Sequence, residues 1–197
     1  MQRRGFLTSL AATLISAAER LPANRSVKWA VSAGLWSHYP ASRITDILDV
    51  MRDTGFIGVR LTGFPAILKT YNLTTAQLAG EVSKRNLNIV TISFGGPLND
   101  PAQHAKIVEN AKEAMRFLQN FGAKLVHKKD SPEAKFFESI YDPGDGEIDF
   151  PACHRILKQI GYKSWICVDL DLTRNGPRAS YEHCGQYVVE RLEPIYA

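Results

Sequence analysis

Apolar residues along this chain occur in two alternating arrangements, short continuous runs and longer stretches with three- and four-residue spacing. The runs predict strands at residues 27–34, 56–61, 87–94, 122–130 and 164–172. The spaced stretches predict helices at residues 43–54, 75–85, 101–121, 151–160 and 180–192, with Ser42 as the cap of the first helix. The chain therefore alternates between strand and helix along its length.

This alternation predicts an α/β protein with a parallel sheet, because each helix carries the chain back to the start of a neighbouring strand. The 197 residues suffice for one domain, and 45% hydrophobic with 22% charged residues is typical of a globular protein. We find no internal repeat and no hinge that would separate a second domain.

Polar residues collect where the predicted strands end, and in parallel barrels the chemistry lies at those carboxyl-terminal ends. The candidates in chain order are Trp36, His38, Arg60, Thr62, Ser93, His127, Lys129, Asp130, Asp169, Asp171 and Arg174. Histidine and carboxylates from separate strands can hold a hard divalent cation. Lysine or arginine beside them can hold an anionic or hydroxyl-rich substrate.

Each candidate also has a plainer interpretation. His127 could be a hydrogen-bonded residue at a strand end, and Trp36 and His38 could roof the mouth of a barrel. Asp169 and Asp171 alternate along the predicted strand, so they face one side and could equally form a solvated or salt-bridged pair. The histidines on predicted helices are expected at the surface, namely His104, His154 and His183.

Charge and motifs argue against several functional classes. The net charge is +4 and basic residues form no run that could cover a face, so nucleic acid is not an expected partner. Three cysteines without CxxC spacing argue against a disulfide framework and against a thiolate zinc site. The sequence contains no GxGxxG, Walker or HExxH motif.

The first residues have the order of an export signal. Arg3 and Arg4 precede a short apolar stretch that ends in small residues at Ser16 and Ala18. The RRGFL sequence resembles the twin-arginine signal, which implies export to the periplasm. We therefore expect a signal peptide at residues 1–23, whose apolar region is too short for a stable membrane span, and one domain at residues 24–197. The alternative is an amphipathic N-terminal helix that stays on the protein.

Several stretches together resemble the sugar phosphate isomerase/epimerase family, the xylose-isomerase-like TIM barrels that include inosose dehydratases. They are GLWSHYP at 34–40, GFIGVRLTGFP at 55–65, HKKD at 127–130 and the block at 142–171 that begins DPGDGEIDF. The resemblance implies a (β/α)8 barrel with a divalent metal, which is manganese, magnesium, cobalt or zinc. That metal polarises a sugar carbonyl while a proton moves next to it.

The resemblance also implies roles for individual residues. His127 matches the histidine ligand of the family's HLKD strand end, and Asp169 stands where the last strand offers a glutamate ligand. Lys129 and Asp171 are then the catalytic candidates. The candidates for binding a small sugar or polyol are Trp36, His38, Arg60 and Arg174.

Two metal-ligating carboxylates of the family have no counterpart in this sequence. Strands five and six are missing, and the remains of strands four and seven are fused at residues 122–130. A full barrel takes roughly 250 residues, so we expect a truncated (β/α) barrel of about five units that is incomplete as a monomer. Its open sheet edges predict a homodimer. Lys128 is expected at an exposed edge, since burying a lysine is costly.

Two functions follow from this resemblance. The first is a metal-assisted isomerase, epimerase or related lyase that acts on a small sugar or polyol, with its site completed by a second copy. The second is a non-catalytic remnant, a half-barrel that only assembles or binds sugar weakly. The missing carboxylates favour the second interpretation.

Overall fold

The computed structural model describes residues 26–94, 100–122, 125–128 and 141–197, without the side chains of Phe94 and of Leu125–Lys128. The predicted signal peptide at residues 1–23 and the candidates Lys129 and Asp130 lie outside these ranges. The strands are β1 (Lys28–Ser32), β2 (Gly58–Leu61), β3 (Asn88–Phe94), β4 (Leu125–Lys128) and β5 (Trp165–Val168).

Helices connect these strands, as the alternating pattern predicts. They are α1 (Ile44–Asp53), α2 (Ala66–Thr70), α3 (Thr75–Lys84), α4 (His104–Gln119), α5 (Phe150–Gln159), α6 (Pro177–Tyr187) and α7 (Glu193–Tyr196). A 3-10 turn at Ala33–Ser37 follows β1, and a π-helical segment at Val188–Leu192 joins α6 to α7. None of the helices in the described ranges combines the length and apolarity needed to cross a membrane.

The five strands form one parallel sheet in the order β4-β3-β2-β1-β5. The strand that comes last in the sequence lies beside the first, as in a closed barrel. In the described part of the chain, β4 and β5 do not pair with each other, so the sheet has two edges. The structure thus confirms a truncated TIM-barrel-like sheet of five strands.

Local signals in the sequence explain where several helices begin and end. Thr74 and Gln77 form a reciprocal capping box at the start of α3, and Asp149 accepts a hydrogen bond from the Ala152 amide at the start of α5. Gly122 adopts a positive φ of 65° just after α4, which ends that helix as predicted. The Ser42 cap was predicted wrongly, because α1 begins after Arg43 without a side-chain cap.

The core lies between one face of the sheet and the helices. Strand residues on this face alternate with those that point to the opposite face, as the pleat requires. The buried core residues of the strands are Trp29, Val31, Val59, Leu61, Ile89 and Ile92. The opposite face carries Ser32, Arg60 and Ser93, all of them polar and buried.

The end of the chain differs from the sequence prediction in two respects. The last helical region begins at Pro177 rather than Ser180 and continues to Tyr196 rather than Leu192. His154 was expected at the surface, yet it is only 6% exposed. It stacks on Trp29 with ring centroids 5.5 Å apart, and its Nδ1 lies 2.7 Å from the Tyr196 hydroxyl, because α7 folds over this part of the sheet.

Candidate functional site

The carboxyl-terminal ends of the strands bring polar residues from distant parts of the sequence together. Ser32 of β1 pairs in register with Arg60 of β2, and Arg60 pairs with Thr91 of β3. Residues paired in neighbouring parallel strands point to the same face of the sheet. Ser93 follows two positions later on β3, so it lies on that face and nearer the strand end.

The Arg60 guanidinium and the Asp169 carboxylate form an ion pair across β1. Arg60 is only 5% exposed, and its Nη1 donates a hydrogen bond to Asp169 Oδ2. The Asp169 side chain is 41% exposed, so one side of the pair is open to solvent. Two further guanidinium nitrogens, Nε and Nη2, are buried and have no hydrogen-bond partner among the described residues. The Arg60 guanidinium therefore has two buried nitrogen donors without a hydrogen-bond partner in the described part of the chain.

Cys167 of β5 lies close to this ion pair, in surroundings that disfavour the thiolate. Burial raises the pKa of the Cys167 thiol to about 12, and the Asp169 charge acts in the same direction while the Arg60 charge opposes both. The thiol therefore stays protonated at neutral pH, and only the thiolate is a strong nucleophile.

Asp171 reaches the end of β1 through a close approach that only glycine permits. A Cβ atom on Gly34 would lie 2.8 Å from Asp171 Oδ1 and 2.8 Å from the Leu170 carbonyl oxygen. The loop after β5 thus packs directly on the backbone of the turn after β1. This contact places the Asp171 carboxylate at the same end of the sheet as the ion pair.

Hydrogen bonds from α6 and from neighbouring loops hold these strand ends in place. The Tyr181 hydroxyl donates to the Ser32 carbonyl oxygen at 2.6 Å, and burial raises the pKa of Tyr181 well above its usual range. Ser180 Oγ donates to Asp142 Oδ2 at 2.6 Å and also bonds to the Thr173 hydroxyl. The loop after β5 is therefore fixed by side chains that no local sequence signal identifies.

A cleft of about 360 Å³ opens beside the ends of β1 and β2. Cavities of roughly 300–1,000 Å³ are typical for small ligands. The cleft is lined by apolar residues with a few polar groups, and its walls include Gly34, Trp36, Ser37, Thr62, Thr70 and Tyr71. Gly34 contributes to this cleft and also contacts Asp171, so the cleft adjoins the polar strand ends.

The structure brings some of the predicted site residues together and separates others. Arg60 and Asp169 form an ion pair, Asp171 lies beside Gly34 at the same end of the sheet, and Trp36 lines the adjoining cleft. By contrast, the Arg174 guanidinium is exposed and stacks over the Tyr141 ring, 4.8 Å from its centroid. This contact gives Arg174 a partner outside the ion pair.

For the remaining predicted site residues, the structure describes fewer contacts or only the backbone. His38 is exposed at the end of the 3-10 turn after β1. The backbone of His127 lies in β4 opposite Ser93, but its side chain and that of Lys128 are outside the described part. The roles of His127 and Lys129 and the exposure of Lys128 thus stay predictions, although β4 is an edge strand in the described sheet.

The metal implied by the resemblance does not fit the side chains that the structure describes. Within residues 26–94, 100–122 and 141–197, no group of three histidine, cysteine, aspartate or glutamate side chains could hold a metal ion. The one predicted ligand with a described side chain, Asp169, is already paired with the Arg60 guanidinium. A positive charge at that distance opposes a divalent cation. The metal stays a prediction that depends on His127.

Comparisons with known proteins show which of them resemble this chain. No family model matches the chain. An uncharacterised protein of Methanocaldococcus jannaschii is 25% identical over 144 residues, which are 68% of this chain and 46% of that protein. The chain thus spans about half the length of the curated relative that it matches.

Solved structures match the chain over most of its length. A xylose isomerase domain protein from Alicyclobacillus acidocaldarius gives a TM-score of 0.61 at 11% identity, covering 87% of this chain and 100% of that one. A sugar phosphate isomerase/epimerase from Parabacteroides distasonis gives 0.60 at 10% identity, covering 93% and 100%. The chain has the fold of the xylose-isomerase-like TIM barrels, in a form whose sheet is open in the described residues.

Proposed function

We propose that this chain binds a small sugar or polyol at the carboxyl-terminal edge of its sheet and moves a proton next to the substrate's carbonyl, as sugar isomerases and epimerases do. The observation that supports this most directly is the Arg60–Asp169 ion pair at the strand ends, with Asp171 at the same end of the sheet. Such a reaction needs a carboxylate that accepts a proton and donors that hold the substrate's oxygens.

Each residue has a distinct role in this proposal. Arg60 holds substrate oxygens through the N–H donors of its guanidinium. Asp169 orients that guanidinium through the ion pair. Asp171 takes a proton from the carbon next to the carbonyl and returns it to a neighbouring carbon or to the opposite face. Lys129 supplies a proton to the carbonyl oxygen and later recovers it, so the reaction is neutral in protons and electrons.

The test of this proposal is isotope exchange at carbon. The purified chain is incubated in D2O with ketoses and inososes, with and without added manganese, and proton NMR follows deuterium entry next to the carbonyl. We expect exchange with the natural chain and at least about a hundredfold slower exchange in Asp171→Asn, since proton transfer contributes roughly 10²–10⁴-fold. Glu109→Gln is the matched control, because Glu109 lies on α4 in an exposed pair with Lys112.

A second candidate function is sugar binding without catalysis. It is favoured by the engagement of Asp169 with Arg60 and by the lack of a three-ligand metal group in the described residues. The same experiment separates the two functions. Saturable sugar binding without deuterium entry in any metal condition would support the binding protein and contradict the isomerase.

A further inference from the structure

We propose that the segment at residues 141–145 and the loop at residues 172–175 after β5 together bind a calcium ion. The inference goes beyond the proposed function, because it concerns a cation that joins two loops and does not require catalysis. It involves neither the Arg60–Asp169 ion pair nor a sugar. It starts from a buried oxygen atom of Asp142 that has no partner in the described part of the chain.

The Asp142 carboxylate is buried, and only one of its two oxygens is used. The residue is 8% exposed, and its Oδ2 accepts a hydrogen bond from Ser180 Oγ at 2.6 Å. Its Oδ1 is also buried but has no hydrogen-bond partner among the described residues. A buried polar atom without a partner is costly, because it has lost its water. An ion or a water molecule is therefore expected beside Oδ1.

A small cavity of about 30 Å³ adjoins this carboxylate. Its walls are Tyr141, Asp142 and Asp145 on one side and residues 172–175 on the other. One water molecule needs roughly 10–15 Å³. The cavity therefore has room for a single ion or for one or two water molecules, and it is too small for a sugar.

The walls of the cavity offer oxygen atoms, which are the ligands that calcium prefers. Asp142 and Asp145 bring carboxylates, Asn175 brings an amide oxygen, and the backbone at 172–175 brings carbonyl groups. Two carboxylates are compatible with the lack of a three-ligand cluster in the described ranges. Calcium accepts irregular sets of oxygens completed by waters, whereas magnesium requires near-octahedral geometry. The half-exposed Asp145 side chain leaves one side open to such waters.

The charged groups around the cavity limit the affinity that can be expected. Arg174 lines the cavity, and its guanidinium lies over the Tyr141 ring, 4.8 Å from the centroid. His183 Nε2 lies 3.4 Å from Asp145 Oδ1 and 3.1 Å from the Pro143 carbonyl oxygen. Two carboxylates against one guanidinium leave the site net negative while His183 is neutral. Because this net charge is small, we expect a dissociation constant of about 10⁻⁴–10⁻³ M.

The first test measures thermal unfolding of the purified chain with and without calcium. CaCl2 at about ten times the dissociation constant should raise the melting temperature by roughly 3–6 °C relative to EGTA. MgCl2 at the same concentration and NaCl at the same ionic strength should each give less than about half of this rise. No rise with calcium would mean that Oδ1 holds only water and would overturn the site. An equal rise with magnesium would overturn the assignment to calcium.

Terbium provides a probe for the position of the cation. Terbium(III) resembles calcium in size and in its preference for oxygen, and it luminesces when a nearby tyrosine is excited. Tyr141 lines the cavity, so we expect luminescence that added calcium removes. Tyr141→Phe should lose most of this luminescence and still show the rise in melting temperature with calcium. Luminescence at the natural level in Tyr141→Phe would place the ion elsewhere and overturn the site.

Variants of the charged residues connect the binding to this cavity. Asp145→Asn should weaken calcium binding at least about tenfold, because it removes one of two carboxylate ligands. Arg174→Gln should tighten it several-fold, because a nearby positive charge opposes the cation. Glu147→Gln is the matched control, since Glu147 is exposed in the same part of the chain and does not line the cavity.

Asp142→Asn tests the buried carboxylate directly and should also weaken calcium binding at least about tenfold. If this variant does not fold by circular dichroism, Asp145→Asn and Arg174→Gln decide the question, because both side chains are partly exposed. Calcium binding that Asp145→Asn and Arg174→Gln both leave unchanged would overturn the site. These measurements do not involve isotope exchange, so a failure of the proposed function would not alter their outcome.

Discussion

Gly34 connects the turn after β1 to the loop after β5, and its lack of a side chain determines how closely they pack. The contact matters for the site because Asp171 Oδ1 and the Leu170 carbonyl oxygen occupy the space that a Cβ atom would need. Gly34 also lines the cleft beside Trp36. The absence of a side chain at Gly34 thus affects both the position of Asp171, the candidate base, and the shape of the neighbouring cleft.

We expect Gly34→Ala to destabilise the fold by about 1–3 kcal/mol, which is typical of overpacking. The new methyl group would press on backbone oxygen at Leu170, which cannot rotate away as a flexible side chain could. Urea unfolding of the purified variant would measure the change. Gly80→Ala is the matched control, since a Cβ there meets nothing within 4 Å and Gly80 lies in α3. The control should gain about 0.5–1 kcal/mol; equal effects at both positions would refute the contact.

The sequence predicted the positions of the site residues better than their contacts. Arg60, Asp169 and Asp171 could be found because polar residues at the ends of apolar runs mark the strand ends. Their arrangement at one end of the sheet could not be found, since it depends on β5 pairing with β1, which no local pattern encodes. Tyr181 was missed for the same reason, because its bond to Ser32 joins parts of the chain 149 residues apart.

At the scale of elements, the C-terminal segment explains both the success and the failure of helix prediction. Helical spacing predicted α5 within one residue at each end, because it depends on local periodicity and on the Asp149 cap. The burial of His154 on that helix was not predictable in this way. It results from α7 folding back over β1, where Trp29 donates a hydrogen bond to Glu193 and contacts Tyr196.

This buried histidine predicts that stability falls in mild acid. Burial lowers the pKa of His154 in the folded protein below its ordinary value near 6.5. The unfolded chain therefore binds more protons, and the stabilising contribution present above about pH 6.5 is lost as the pH falls. The groups that face the imidazole are the Tyr196 hydroxyl and the Trp29 indole, with the Glu193 carboxylate bonded to that indole.

Urea unfolding at about pH 7.5 and about pH 5.5 would test this linkage. The loss of unfolding free energy between the two values should be smaller in His154→Gln, which cannot titrate, than in the natural chain. His104→Gln is the control, because His104 is exposed at the start of α4. A loss of the same size in all three proteins would show that other groups cause the pH dependence.

At the scale of the whole molecule, both edges of the described sheet are accompanied by helices with exposed apolar side chains. On α4, which precedes the edge strand β4, Val108 is 50% exposed and Met115 is 49% exposed. On α5, which precedes the edge strand β5, Ile156 is 58% exposed, and Ile160, the C-cap of that helix, is 70% exposed. In a closed barrel, neighbouring β/α units cover such surfaces. Their exposure beside unpaired edges is the physical reason to expect association.

We therefore propose that two copies associate, with the β4 edge of each copy against the β5 edge of the other. Across this interface, β4 of one copy would run parallel to β5 of its partner. The purified chain should have the mass of a dimer by light scattering. Ile156→Glu should raise the dissociation constant at least about tenfold, because it places a charge in an apolar contact at a cost above roughly 1.4 kcal/mol. Gln77→Glu adds the same charge at an exposed position of α3, which precedes the inner strand β3, so its mass should not change. A natural chain that stays monomeric and fully folded at every concentration would contradict the association, and with it the idea that a second copy completes the site.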